Sequence, residues 1–232
     1  MNDAGMATGN LLTVRTPAVN FHVLRDAAGL HLIDAGFIGG EPFLMAALRK
    51  HGWEREKIAG VIVTHGHLDH ILNVAKVARK HGAWIAAPRL DEAHYAGCPS
   101  YAGWSRVAGI MEMIGRPLLG FEPFVPDRWL DDGDVLDVWY GLRAVHLPGH
   151  TAGHTGYFCE ELGLLFAADL FASYRRFTHF PPRVFNSEPH LMKASLEKAL
   201  LLGLKGVLPN HGDGASAEEH LIRLETMTEK LR

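Results

Sequence analysis

Short apolar runs alternate along this chain with segments whose apolar residues recur at helical spacing, and the alternation predicts a layered protein of mixed α/β (α+β) class. Residues 20–24 and 30–34 read as strands flanking a hairpin turn at 26–29. Residues 43–51 carry apolar positions at helical spacing and stop at Gly52. The run GVIVT at 60–64 is apolar and β-branched, which predicts a buried strand. Ile71, Val74, Val77 and Ala78 share one face of a predicted helix over 69–81, which Gly82 closes. Further strands are predicted at 84–87, 135–138, 142–147, 164–167 and 206–208, with a turn at 130–134. Ser187 is expected to cap a helix reaching Leu202, with Pro189 tolerated in its first turn. A last helix over 216–231 gathers Leu221, Leu224, Met227 and Leu231 on one face.

Two stretches break the alternation. Residues 89–128 mix aromatics with Gly and Pro, hold one helical piece near 106–114, and read as a cap-like insertion. Residues 171–185 read as an aromatic and basic loop.

With 232 residues, one domain spanning 1–232 is the expectation. Hydrophobic residues make up 47% and charged residues 21%, as in an ordinary globular protein whose core needs no disulfides. Cys98 and Cys159 form no Cys-x-x-Cys pair, which fits a reducing, cytoplasmic setting. The amino end has no basic start and no long apolar stretch, so no secretory signal is expected, and no run suits a membrane span. The net charge of -3, with Lys and Arg scattered, argues against a nucleic-acid partner. A small-molecule substrate is the expected partner, with a homodimer as the assembly considered.

Histidine changes the picture, at 15 residues in the chain. Thr64-His65-Gly66-His67-Leu68-Asp69-His70 places three imidazoles and a carboxylate directly after a predicted buried strand. His65 and His67, two apart, can point the same way, while Asp69 and His70 open the next helix. Such donors suit zinc, iron and manganese. His150, Asp169 and His211 also follow apolar runs, at 144–149, 164–168 and 207–210. In layered α/β folds, ligands gather outside the carboxyl ends of strands. Seven donors exceed the needs of one four-coordinate ion and suit two ions about 3.5–4 Å apart that share a carboxylate. Asp34 reads as an acid that orients a ligand, and His154 as a loop-packing residue or an orienting one. His22, His31, His51, His81, His94, His146, His190 and His220 have no ligand context, and Cys159 reads as a small buried apolar residue.

These residues resemble the metallo-β-lactamase superfamily, especially its glyoxalase II-like and lactonase-like hydrolases. The pieces that match are LIDAG at 32–36, THGHLDH at 64–70, PGHTAGH at 148–154, FAADLF at 166–171 and PNHG at 209–212. The resemblance implies a four-layer αββα sandwich with metals at one edge between two sheets. It implies that His65, His67 and His150 hold the first metal and Asp69, His70 and His211 the second. It makes Asp169 the bridge and Asp34 an acid that supports a ligand without binding metal. This chain departs from the family at Ala168, where glycine often precedes the bridging Asp, and at Asn210, which replaces a common glycine. Ala172 stands where lactonases carry a tyrosine, and Tyr174 is the nearest one. Asp169 argues against a zinc β-lactamase, and His67 against the redox di-iron relatives.

The expected function is therefore metal-dependent hydrolysis of a carboxylic ester, lactone or thioester. The expected cofactor is two divalent ions, zinc preferred and iron or manganese also suited. Hydroxide between the metals would attack the carbonyl carbon, with Asp69 accepting or shuttling a proton. An ester or lactone is preferred on the expectation that the helical domain with which glyoxalase II grips glutathione is absent. Tyr174, His179 and Phe121 are expected to contact substrate. The alternative is a mononuclear iron persulfide dioxygenase, in which His65, His150 and Asp169 hold the iron.

Overall fold

A computed structural model of the chain describes residues 8–99, 101 and 103–230. Strands β1 (Leu11–Val14), β2 (Phe21–Asp26), β3 (Gly29–Ile33), β4 (Ile58–Ile62), β5 (Trp84–Pro88) and β6 (Arg128–Leu130) form a sheet in that spatial order. The first three pair antiparallel, and β3 to β6 run parallel. Parallel neighbours need a crossover. Helix α1 (Gly40–His51) joins β3 to β4, while α2 (Leu68–Ile71) and α3 (Val74–His81) join β4 to β5. The cap-like segment carries α4 (Glu92–Tyr95) and α5 (Arg106–Leu118).

A second sheet contains β7 (Val135–Leu136), β8 (Leu142–His146), β9 (Thr155–Cys159) and β10 (Leu164–Ala168). Strands β11 (Ala172–Tyr174) and β12 (Phe177–His179) pair with each other, with Ser173 also bridging to Gly212, and β13 (Gly206–Pro209) returns to lie parallel to β10. Helices α6 (Met192–Leu200) and α7 (Ala217–Glu229) flank β13 in the chain.

Layering follows from the two-residue period of the strands. Val23, Leu32, Val61 and Ile85 face one way and pack with Leu44 and Leu48 of α1 and Val74 and Val77 of α3. Their neighbours Leu24, Ile33, Ile62 and Ala86 face the other way and meet Ala144, Tyr157 and Phe166 of the second sheet. The next residues along that sheet, Val145, Phe158 and Leu165, turn outward onto Leu196 of α6 and Leu224 of α7. The order is helix, sheet, sheet, helix, the αββα sandwich that the resemblance implies. No helix among the described residues is long and apolar enough to cross a membrane.

Several expectations are corrected. The helix predicted over 69–81 is broken at Leu72 and Asn73, because the Asn73 amide donates to the carbonyls of Ala35, Gly36 and Phe37. Ser187 does not cap a helix. Its N–H donates to the carbonyl of His150, Glu188 donates to Gly149, and regular α-helix begins only at Met192. The true capping serine is Ser216, whose hydroxyl accepts from Glu219 N–H at 3.2 Å. Strands β1, β6, β9 and the β11–β12 hairpin are additions, and α5 runs four residues past the predicted piece, to Leu118. The last helix ends at Glu229, and Leu231 lies outside the described residues.

Candidate metal centre

Strand ends set the site. Past the end of β4 come His65 and His67, and α2 then carries Asp69 and His70. His150 follows β8, Asp169 follows β10 and His211 follows β13. Gly66 between the first two histidines has no room for a side chain, since a Cβ there would lie 2.2 Å from His94. Ala168 holds a left-handed backbone, φ 48°, immediately before Asp169. That conformation costs an L-residue roughly 1–2 kcal/mol, which is why glycine suits the position.

All seven predicted donors converge. Ligand atoms of His65, His67 and His150, of His65, His70 and Asp169, and of Asp69, His70 and His211 each lie within 4.8 Å of one another. Asp169 carboxylate oxygens stand 3.4 Å from His70 Nε2, 3.3 Å from His150 Nε2 and 3.2 Å from His211 Nε2. Asp69 Oδ2 is 3.6 Å from His70 Nε2 and 3.5 Å from His211 Nε2. Tetrahedral ligands about 2.0–2.2 Å from an ion sit about 3.3–3.6 Å apart. His67 Nδ1 and His150 Nε2 are nearer, at 2.8 Å. Nε2 of His65, His67 and His70 and Oδ1 of Asp169 are buried without any hydrogen-bond partner. Buried polar atoms are rarely left so, and cation ligation is one way to satisfy them. The donor set fits divalent cations.

The far nitrogens of three rings are fixed. Asp34, fully buried with φ 64°, accepts from Thr64 N–H (2.8 Å), Thr64 Oγ1–H (2.7 Å), His70 Nδ1–H (2.9 Å) and Asn210 Nδ2–H (2.6 Å). The Thr64 hydroxyl, its proton given to Asp34, accepts from His65 Nδ1–H at 3.0 Å. His150 Nδ1–H donates to Asn186 Oδ1 at 2.8 Å. Each ring thus turns its Nε2 toward the cluster. His154 differs. It donates from Nδ1 to the Leu147 carbonyl and accepts the Asp169 N–H on Nε2, so neither nitrogen is left for a cation.

Burial and charge set the protonation states. Burial holds His65 and His67 well below the ordinary imidazole value, with neighbouring histidines adding to the effect. Burial also opposes charge on His70, but Asp169, Asp69 and Asp34 outweigh it and push His70 well above. Asp169 raises His211 to about 10. Burial works against ionisation of Asp169, yet His211 and His70 hold it well below the usual carboxylate range.

Four residues that the sequence reading missed brace the loops. Asp91 accepts from Gly66 N–H (2.8 Å), Thr151 Oγ1–H (2.6 Å) and Gly153 N–H (2.7 Å), tying the His65–His67 loop to the His150 loop. Glu112 and Arg116 of α5 form a buried ion pair at 2.6 Å. Arg116 also donates to the carbonyls of His94 and Gly66, and Glu112 accepts from Leu68 N–H. Asn186 is the fourth. None lies at a strand end; Asp91 heads α4 in a pattern that reads as ordinary helix opening.

Above the cluster is a cavity of about 430 Å³, into which His67, Asp69, His150, Asp169 and His211 open. Tyr174 and His179 line it. Phe121 does not. It packs on the first-sheet core beneath the Arg116 guanidinium, 4.5 Å from the ring centre. The insertion reaches the cavity instead through Ala108, Met111, Glu112, Gly115 and Leu119.

A four-layer αββα sandwich with a His- and Asp-rich site at the strand ends defines a class of metal-binding proteins. This chain belongs to the metallo-beta-lactamase superfamily, whose family model matches residues 14–211. It is 26% identical over 169 residues to a hydroxyacylglutathione hydrolase of Chelativorans sp. (strain BNC1), covering 72% of this chain and 52% of that one. It is 30% identical over 113 residues to the hydroxyacylglutathione hydrolase GloC of Haemophilus influenzae, covering 47% and 48%. The chain spans about half the length of these curated relatives. Its fold is similar to that of a metallo-beta-lactamase family protein from Thermus thermophilus, with TM-score 0.72 at 22% identity over 96% of this chain and 79% of that one.

Proposed function

We propose that this chain is a metal-dependent hydrolase that holds two divalent cations and cleaves a carboxylic ester, lactone or thioester. One observation carries the reading: buried imidazole and carboxylate donors face one another from separate strand ends at cation-ligand spacing, four of their atoms without hydrogen bonds. His65, His67 and His150 would hold one ion, and Asp69, His70 and His211 the other, with Asp169 shared. Zinc is the preferred pair, and iron or manganese also suit the donors. Bound there, such ions supply Lewis acidity and make water a nucleophile near neutral pH.

The chain's own residues do the rest. Asp69 is the more exposed carboxylate of the cluster, its side chain 32% exposed against 4% for Asp169, so it can take a proton from water in the cavity. Tyr174 stays protonated, because burial and then Asp169 raise its phenol. Its hydroxyl can donate to a carbonyl oxygen as charge develops. Apolar residues from α5 and the 171–185 segment exclude water around the acyl group. The relatives named as hydroxyacylglutathione hydrolases support the hydrolase class.

The test is elemental analysis of freshly purified protein, then chelation, refilling and a screen of lactones, thioesters and aryl esters. Two ions per chain and hydrolysis that returns with the second ion are expected. Full activity with a single ion would overturn the two-metal arrangement. One iron per chain with persulfide oxidation would put the dioxygenase in its place.

A further inference from the structure

A second cavity, about 510 Å³, lies between the β11–β12 hairpin and α7. Tyr174 and His179 line both it and the metal cavity, so the hairpin is a shared wall. Arg175, Arg176, Arg223 and Lys230 line the second cavity, and among the described residues no carboxylate does. The chain carries 26 acidic against 23 basic residues, so this local excess does not follow from composition. Arg223 is committed to Asp213 and Glu219. Arg175, Arg176 and Lys230 are exposed and have no ion pair among the described residues.

The groove also offers an aromatic face. Phe177 is 55% exposed and is steadied by Tyr174, at 5.1 Å between ring centres, and by His179, at 5.4 Å and 25°. Unpaired guanidinium groups bind phosphate by charge-assisted hydrogen bonds, and an exposed ring stacks on a planar base. Cations around an aromatic platform therefore suit a phosphorylated nucleotide-like group better than a bare inorganic anion.

We propose that this groove holds the phosphate-and-base end of a leaving group whose sulfur lies at the metal site, making the substrate an acyl thioester of coenzyme A type. The acyl chain occupies the apolar cavity, and the carrier crosses the hairpin rim at Tyr174 and His179. Water supplies the oxygen that joins the acyl carbon, the carbon–sulfur bond breaks, and the sulfur leaves as a thiol carrying a proton from that water. No oxidant or reductant is needed. The reaction rests on the hydrolase reading, whereas the binding site does not.

The experiment titrates the metal-loaded protein with desulfo-coenzyme A, which lacks the thiol that would ligate a metal. Wild type is expected to bind it, more weakly as salt rises. R175S/R176S should bind at least about tenfold more weakly, and R175K/R176K, which keeps both charges, should recover most of the loss. The same R175S/R176S change should lower kcat/KM for a coenzyme A thioester more than for the matching thioester of a short neutral thiol. Binding without hydrolysis of the coenzyme A thioester would uphold the groove as a binding site but overturn coenzyme A thioesters as the substrate. The hydrolase reading would then stand or fall on its own screen of esters and lactones. No binding by wild type, or equal binding by R175S/R176S, would overturn the proposal.

Discussion

Asn186 shows how a residue that touches no cation can govern one. Its carboxamide oxygen fixes the His150 Nδ1 proton, and its Nδ2 donates to the Pro181 carbonyl at 2.8 Å, so the amide cannot turn over. Asn186→Ala is expected to weaken zinc binding about 10–100-fold while the fold survives. Competition with a chromophoric chelator measures this, and an affinity equal to wild type would remove Asn186 from the site. The seven donors are legible in the sequence because they fall in four groups, each just after an apolar run that stops abruptly. Asn186 and Asp91 are not, because an amide or acid in an irregular segment carries no periodic mark, and its partners lie 36 and 25–62 residues away. Asn210 was legible only as a departure. The structure gives it a role a glycine could not fill, donating to the carboxylate that aligns His70.

At the scale of elements, α5 is joined to the metal loop by charge. The Glu112 and Arg116 side chains are 11% and 6% exposed and bond Leu68, Gly66 and His94 through their backbone groups. Removing one partner of such a pair strands a buried charge, so Arg116→Met should cost about 3–5 kcal/mol of stability. The double change E112L/R116M should cost less, because no ion is left behind. Urea unfolding of both variants decides it, and a double change at least as costly as Arg116→Met would contradict the argument. Apolar spacing predicts part of α5 but not its attachment, since its core-facing positions include this charged pair. Strand β9 escaped for another reason. Its sequence, TGYFC, begins inside a glycine-rich loop, so no turn announces it, although all five residues are buried.

The whole molecule is two sheets face to face, and His22 lies at their meeting. Its ring on β2 is 5.3 Å from Phe166 on β10, and its Nδ1 is 3.1 Å from Thr13 Oγ1. Burial lowers its pKa from 6.5 to about 3. Between those values the unfolded chain takes a proton that the folded chain refuses. The stability His22 contributes is therefore complete above about pH 6.5 and is lost as pH falls toward 3, by up to about 1.4 kcal/mol per unit. Urea midpoints from pH 4 to 7 should thus depend on pH less steeply for His22→Gln than for wild type, and parallel curves would refute the assignment. The two-sheet architecture was legible from the family motifs. The position of this histidine was not, because a lone His in a strand looks the same on either face.

Asp34 has a consequence in time. Its carboxylate reaches partners 30, 36 and 176 residues away along the chain. Closing short loops is quick, whereas contacts across long stretches of chain come late and slow the approach to the native state. The bond to Asn210 can form only once nearly the whole polypeptide has been threaded into place. An ion in the surrounding solution would therefore meet scattered histidines for most of refolding and a finished cradle only at its close. In stopped-flow refolding with cobalt, the metal's absorption band should rise after the far-ultraviolet circular dichroism has levelled off. Simultaneous rise would contradict this order of events.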